Sequence, residues 1–293
     1  MLYKKAYCCK VNDDWFVSVW MGLILSMLKL NERGDVRYVL RTAIVGVVLV
    51  TVVGCASVDG GSVGVQSEQA QMDNLQKTLY GAGREAETSN NYEVAAGIYG
   101  RLFEQRPDDP AILSAFVRNM RYSGRSREII DYVQAKAPQL LANAQVKFEY
   151  AKALLAAGRK AEALTTLSQV EALTPGDWRV LSAQGITYDA LGRYEEAIAT
   201  YAAALKLSPD NVVVMNNMAM SQAISGQLTT AIATLERAAG INRTNTHVRQ
   251  NLALLYAING DVERAQALAA MDLDVSDVET NLSFYRRFEG QSR

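Results

Sequence analysis

A few residues in this sequence belong to types that perform chemistry in other proteins. His247 is the only histidine, and with no cysteine or acidic cluster near it in the sequence it is a poor metal ligand. It also pairs with no serine or cysteine nucleophile in a recognisable order. Glu195 and Glu196 are adjacent acids, but the repeat described below places them at a helix start, where acids favour the helix dipole. Gly81-Ala82-Gly83 follows no predicted strand and is not a phosphate-binding loop. We therefore expect no enzyme activity, no catalytic residue, no cofactor and no bound metal.

The composition indicates a mostly helical globular protein. The chain has 293 residues, of which 49% are hydrophobic, and a formal net charge of -1. Such a balance gives no reason to expect binding to nucleic acid or to an acidic substrate. Proline is scarce, with 5 residues, which suits a helical chain. The cysteines at positions 8, 9 and 55 predict neither a disulfide framework nor a thiol-based zinc site in the rest of the chain.

Cys55 ends an apolar segment that has the layout of a secretory signal. Arg37 and Arg41 precede the apolar core, and Val52-Val53-Gly54-Cys55 ends it with small residues before the cleavage point. This ending resembles the bacterial lipobox, in which the cysteine is lipidated and becomes the mature N-terminus. The alternative is a buried strand that ends in cysteine, but the residues after it have linker composition. We expect a lipoprotein signal peptide over residues 36–54 and a lipid anchor at Cys55.

The segments on either side of this signal follow from its position. Since a signal peptide begins near the chain start, we expect translation to begin at Val36 and residues 1–35 to be a non-native or disordered extension. If that extension is native, Trp15–Leu28 is a candidate interfacial helix. By the sorting rule for bacterial lipoproteins, Ala56 indicates the periplasmic face of the outer membrane. The polar, glycine-containing residues that follow predict a lipidated flexible tether over 55–75.

A 34-residue interval organises the remainder of the sequence. Glycine recurs at this interval from Gly124 to Gly260, and a packing alanine recurs in the same frame between Ala95 and Ala265. The unit Trp178–Asn211 fits best, with two amphipathic helices around a glycine turn. This pattern resembles the tetratricopeptide repeat. Because one such unit cannot bury its apolar faces alone, the sequence predicts several stacked copies.

The repeat frame predicts an all-α fold: a right-handed superhelix of five to six helix-turn-helix units over residues 76–271. In the first unit Asn90 stands where glycine is expected. In the second unit Pro138 comes early, which predicts a short or displaced second helix. Ser276-Asp277-Val278-Glu279 has the form of a capping box. We therefore expect a capping helix and tail over 272–293 that covers the exposed apolar face of the last unit.

The first helix of each unit is expected to line a concave groove. The predicted groove is basic and aromatic at its start and apolar toward its end, which suits an extended or helical peptide with an acidic and a hydrophobic part. The candidate partner-binding residues are Tyr80, Arg84, Arg118, Arg121, Tyr122, Phe148, Lys152, Ile186 and Met220. The alternative is that the cations are simply solvated, that the aromatic rings pack between units and that the C-terminal helix fills the apolar end.

The end of the repeat region resembles one known family. The stretches Arg249–Tyr256, Gly260-Asp261, Ala265–Ala269, Met271-Asp272-Leu273 and Asn281–Arg286 are similar to the C-terminal part of the TadD lipoproteins of the Flp (tight adherence) pilus machinery. With the lipobox and the tether, the resemblance covers roughly residues 36–288. It implies a non-enzymatic pilotin or assembly factor that binds an outer-membrane secretin or another pilus assembly component. It implies no nucleic acid and no small-molecule substrate.

Two other classes of function stay open at this point. One is a different envelope lipoprotein scaffold, such as a type IV pilus pilotin or an envelope biogenesis adaptor, because fold alone does not separate such roles. The other is an enzyme, which requires a deep polar pocket with perturbed titratable groups.

Overall fold

A computed structural model describes the backbone of residues 63–272 and the side chains of residues 74–272. Within this range 12 α-helices and one short 3-10 helix follow one another, and there is no strand. None of these helices has the length and apolar character needed to cross a membrane. The predicted extension, signal peptide, lipidation site Cys55 and capping box at 276–279 lie outside the described residues.

The helices succeed one another in pairs, each with a first and a second helix. The first helices are α1 (Val63–Thr88), α3 (Pro110–Tyr122), α5 (Ala144–Ala156), α7 (Trp178–Leu191), α9 (Val212–Ile224) and α11 (Thr246–Ile258). The second helices are α2 (Tyr92–Gln105), α4 (Ser126–Lys136), α6 (Lys160–Leu173), α8 (Tyr194–Leu207), α10 (Leu228–Ile241) and α12 (Val262–Ala269). From α3 onward every first helix begins 34 residues after the previous one, so the predicted all-α array and its register are confirmed.

An aspartate or asparagine caps each first helix from α3 onward. Its side-chain oxygen accepts hydrogen bonds from backbone N–H groups of the first turn, which have no partner within the helix. The caps are Asp109, Asn143, Asp177, Asn211 and Asn245. They share the 34-residue interval, and the sequence therefore marks the start of each of these units.

The turn inside each unit contains a residue in the left-handed conformation. Gly192 has a φ of 77°, and the glycines at its register have similar values. Asn90, which stands where glycine is expected, has a φ of 56°. Asparagine tolerates this conformation better than most residues, so the degenerate first unit keeps the same turn.

The second unit differs from the others at the end of its second helix, where Pro138 predicts a difference. Its second helix, α4, has 11 residues where α2 has 14, and the 3-10 helix Pro138–Ala142 follows. Proline lacks the N–H that would continue the α-helical ladder. The predicted short second helix is confirmed, and α5 still begins in register.

The start of α1 corrects the flexible tether predicted over residues 55–75. The backbone is helical from Val63 onward, so the tether prediction is wrong over 63–75. Between Gly64 and Gly81 the sequence contains neither glycine nor proline and is rich in glutamine, leucine and other helix formers. The glycines that gave this segment its linker composition all lie before Val65, so the linker composition ends earlier than the predicted tether.

Adjacent units pack on one another because each first helix from α5 onward contacts both the first and the second helix of the unit before it. Each first helix from α3 to α9 contacts the next first helix. In addition, α4, α6, α8 and α10 each contact the first helix of the following unit. We call the side of the array formed by the first helices the groove face. The small packing residues predicted on the second helices are fully buried: Ala95, Ala163, Ala197, Ala231 and Ala265, with Ile129 in the second unit.

Within a unit, the size of a buried side chain on the second helix matches the size of the residue that it contacts on the first helix. The ring of the fully buried Tyr201 lies against Gly185, where an added Cβ would stand 2.5 Å from a ring carbon. The first unit repeats this fit with Gly83 and Tyr99, at 2.9 Å. Where leucine replaces the tyrosine, alanine replaces the glycine, as in Ala151 with Leu167 and Ala219 with Leu235.

We expect Gly185→Ala to lower the free energy of unfolding, because the buried ring of Tyr201 has no room to move away from a new methyl group. Overpacking of this kind costs about 1–3 kcal/mol. The matched control is Gly97→Ala in α2, where an added Cβ meets nothing within 4 Å and helix propensity should add up to about 1 kcal/mol. Urea unfolding followed by circular dichroism measures both, and unchanged stability of Gly185→Ala would contradict the tight fit.

Candidate functional site

The residues predicted to line the groove lie on the first helices but differ widely in exposure. Tyr80 and Arg84 are exposed, whereas the side chains of Arg121 and Lys152 are only 9% exposed. Arg118, Tyr122 and Phe148 are half-buried, and Ile186 and Met220 are 4% and 7% exposed. The expected exposure is wrong for Arg121, Lys152, Ile186 and Met220, because their helices pack against neighbouring helices on more than one side.

Glu87, at the end of α1, binds side chains from two other helices. Its Oε1 accepts hydrogen bonds from Nη2 of Arg118 at 2.7 Å and Nδ2 of Asn119 at 2.6 Å. Its Oε2 accepts one from the hydroxyl of Tyr99 at 3.3 Å. Burial, together with the charge of Glu87, raises the pKa of Tyr99, so its hydroxyl remains a donor at neutral pH. Arg118 is therefore neutralised within the chain.

Glu149, on α5, is a buried acid shared by two buried cations. Lys152 donates from Nζ to its Oε1 at 2.9 Å, and Nη2 of Arg121 lies 3.7 Å from its Oε2. Burial lowers the pKa of Lys152, against the opposing charge of Glu149. Within residues 74–272, Nε and Nη2 of Arg121 have no hydrogen-bond partner. This group depends on Glu149 for its charge balance.

The aromatic rings of this region are in contact with the same cations. The guanidinium carbon of Arg121 lies 4.0 Å from the ring centroid of Tyr122, and Nζ of Lys152 lies 4.7 Å from that of Phe148. Tyr122 also packs on Tyr92, with centroids 4.7 Å apart. Cation–π contacts of this type stabilise by roughly 0.5–2 kcal/mol, depending on their desolvation. Each of the two cation–π pairs lies within one helix, and the contact of Tyr122 with Tyr92 joins the first unit to the second.

The charge predicted for the start of the groove needs correction. The sequence predicts a basic surface, but Glu87 and Glu149 pair with Arg118, Arg121 and Lys152. Both acids lie on first helices in the printed sequence, so a search for acids on those helices would have found them. Arg84, on α1, is exposed and forms no ion pair with another described residue.

The fourth unit contains a carboxylate without a cation. Asp189, on α7, accepts hydrogen bonds from the hydroxyl of Tyr201 at 2.8 Å and from Oγ of Ser221 at 2.6 Å. Within residues 74–272 no arginine, lysine or histidine forms an ion pair with it. Burial raises the pKa of Asp189 from its ordinary 3.8 to about 6, although both hydrogen bonds oppose the shift.

The residues that first suggested chemistry occupy structural positions. Glu195 and Glu196 are exposed in the first turn of α8, as predicted, and Gly81 and Gly83 lie inside α1. His247 is half-buried at the start of α11. In the described part of the chain, no group of three or more His, Cys, Asp or Glu residues could hold a metal ion.

Comparison with known proteins identifies the repeat. The tetratricopeptide repeat family matches residues 148–212 and 182–246. Among solved structures, PilW, a widely conserved type IV pilus biogenesis factor, is 15% identical with a TM-score of 0.57, covering 67% of this chain and 91% of PilW. PilF of Pseudomonas aeruginosa is 17% identical with a TM-score of 0.57, covering 75% of this chain and 99% of PilF.

No curated protein sequence matches the chain. Identities this low show a shared fold and nothing further. Residues 148–246 match the tetratricopeptide repeat model, and the helical array as a whole has the fold of PilW and PilF.

Replacing Glu149 tests the buried ion group. We expect Glu149→Gln to lower the free energy of unfolding by about 3 kcal/mol or more, because two buried cations lose their counter-charge. The matched control is Glu196→Gln, which breaks the exposed pair with Arg193 and should cost at most about 1 kcal/mol. Urea unfolding compares the two variants, and equal losses would show that Glu149 is not needed for charge balance.

Asp189 predicts a pH dependence of stability. Because its pKa is raised in the folded chain, its contribution is fully present below the ordinary pKa of 3.8 and is lost as the pH rises through about 6. Asp189→Asn removes this ionisation, so its stability relative to the unmodified chain should rise between about pH 4 and pH 7, by up to about 3 kcal/mol. Urea unfolding across this range measures the difference, and a constant difference would contradict the shift.

Asp177 provides a control, because its pKa is shifted in the direction opposite to that of Asp189. The hydrogen bond from Arg179 lowers the pKa of Asp177, so its contribution is present above the ordinary pKa of 3.8 and is lost as the pH falls. Asp177→Asn should therefore change the stability curve in the acid range and leave its slope near pH 6 unaltered.

Proposed function

We propose that this protein is a non-enzymatic scaffold that binds a segment of a protein partner on its groove face. The observation that carries the proposal is the row of successive first helices, along which an aromatic and an apolar side chain are partly exposed. Tyr80 is 37% exposed at one end of the row and Ile224 is 39% exposed toward the other. Stacked helical repeats use such a side to hold an extended or helical segment.

We further propose that the scaffold acts in assembly of the Flp (tight adherence) pilus, with an outer-membrane secretin or another assembly component as its partner. The support is the resemblance to the TadD lipoproteins. Two of the resembling residues meet in the structure, where Arg249 donates to Asp272 and joins α11 to the residues after α12; their side chains are 14% and 7% exposed. The lipidation proposed at Cys55 would hold the scaffold on the periplasmic face of the outer membrane.

The alternative is another scaffold of the bacterial envelope, such as a type IV pilus pilotin. The fold shared with PilW and PilF is compatible with this alternative and with the Flp pilus, because fold alone does not fix a function. The two proposals share the groove face and the protein partner and differ in the identity of that partner.

Site-specific photo-crosslinking tests the proposed function. A photoreactive phenylalanine at Tyr80 or Ile224 should form adducts with the partner in intact cells, because the bound segment lies against the first helices. The controls are Leu173 and Leu207 on second helices, which are 50% and 48% exposed and should form none. Equal adducts at all four positions would contradict binding on the groove face.

The identity of the adduct decides between the two pilus proposals. Mass spectrometry of the crosslinked band should identify the Flp secretin or another Flp assembly component. A type IV pilus or envelope biogenesis protein in that band would support the alternative and overturn the assignment to the Flp pilus.

A further inference from the structure

The fourth unit repeats a side-chain arrangement of the first unit. In both, a tyrosine of the second helix packs on a glycine of the first helix, and its hydroxyl donates to an acid one turn further along that first helix. Each residue of this arrangement in the first unit has its counterpart in the fourth unit three repeats later in the sequence. They are Gly83, Glu87 and Tyr99 in the first unit and Gly185, Asp189 and Tyr201 in the fourth.

The next first helix completes the arrangement in each case. On α3, Asn119 donates to Glu87, and at the same register of α9, Ser221 donates to Asp189. The residue before each donor differs, since α3 has Arg118 and α9 has Met220. Arg118 supplies a guanidinium 2.7 Å from the carboxylate, whereas methionine supplies no charge. Within residues 74–272, the fourth-unit site has neutral donors like those of the first-unit site and lacks its cation.

The surroundings of Asp189 suit a long cationic side chain. Asp189 is half-buried, whereas Met220 and Ser221 beside it are 7% and 1% exposed. On α9, Met220 adjoins the donor Ser221, and Ile224 lies one turn further along the same side and is 39% exposed. Arginine and lysine join an apolar alkyl stem to a charged end. The methionine and isoleucine suit the stem, and the carboxylate suits the charge.

We propose that Asp189, with Met220, Ser221 and Ile224, forms a binding site for an arginine or lysine side chain of the partner segment. This side chain takes the place that Arg118 occupies in the first unit. The inference rests on the proposed function, since it assumes a segment on the groove face, and it adds a cationic residue to the description of that segment.

Electrostatics favour this occupant. Burial disfavours the ionised form of a carboxylate, and a cation within hydrogen-bond distance offsets that cost. Charge-assisted hydrogen bonds to a guanidinium or ammonium group are also stronger than the two neutral ones that Asp189 already accepts. An anionic group would meet the negative charge of Asp189 itself.

The test uses n-butylguanidinium as the probe and the full chain labelled with ¹³C at aspartate and glutamate carboxyl carbons. At pH 7 the probe should shift the Asp189 carboxyl signal in a saturable manner, and neutral n-butanol should not. Met220→Arg supplies the cation from within, so it should abolish the probe response and return the pKa of Asp189 to its ordinary value or below. Met220→Leu keeps the site uncharged and should respond as the unmodified chain does.

A second variant, which removes the cation from the first unit, tests the proposal if Met220→Arg does not fold. Arg118→Met removes the cation from the first-unit site, and Glu87 should then become responsive to n-butylguanidinium. No probe response at Asp189 in the unmodified chain, or an equal response in Met220→Arg, would overturn the proposal.

Failure of this inference is distinguishable from failure of the proposed function. The probe reports on the charge site without any partner, whereas crosslinking from Ile224 reports on a partner without reference to Asp189. Adducts at Ile224 with an unresponsive Asp189 would remove the cation site and leave the scaffold proposal standing.

Discussion

The approach of a tyrosine ring to a glycine sets the geometry of two units in this array. At Gly185 the ring of Tyr201 occupies space that any larger residue would need, so the helices of the unit come close together. Protein interiors are packed to near crystal density, and a change of one methyl group at such a contact is felt. The same contact directs the tyrosine hydroxyl toward the acid on the first helix. Packing inside the unit therefore places a polar group at the groove face.

Charge on the groove face is balanced locally. Glu87 accepts the guanidinium of Arg118, and Glu149 serves Arg121 and Lys152. Cations with their own acids offer little net attraction to an acidic partner. Asp189 is the exception among these acids. Cations are abundant in the sequence of the first units, whereas Asp189 in the fourth has no ion pair with any residue between 74 and 272; the proposed cation site rests on this difference.

The sequence predicts features that depend on neighbouring residues better than features that depend on contacts between units. Turns at Gly192 and Asn90 and the short helix before Pro138 follow from local backbone chemistry and could be predicted. The burial of Met220 could not, because it depends on how α9 packs against the helices around it. The pairing of Arg118 with Glu87 joins residues 31 positions apart on different units, and spacing within one unit does not reveal it.

The regular capping of the first helices has a consequence for how the length of such a chain changes in evolution. Each unit from the second onward carries its own start at an Asp or Asn cap and its own left-handed turn residue. An insertion or deletion of a whole repeat preserves every later start and turn, whereas one of another size displaces a cap unless a local loop absorbs it. The 3-10 segment after α4 is such a loop, since it keeps Ala144 in register. Arrays of this kind should therefore lengthen and shorten by complete units, with exceptions confined to segments like Pro138–Ala142.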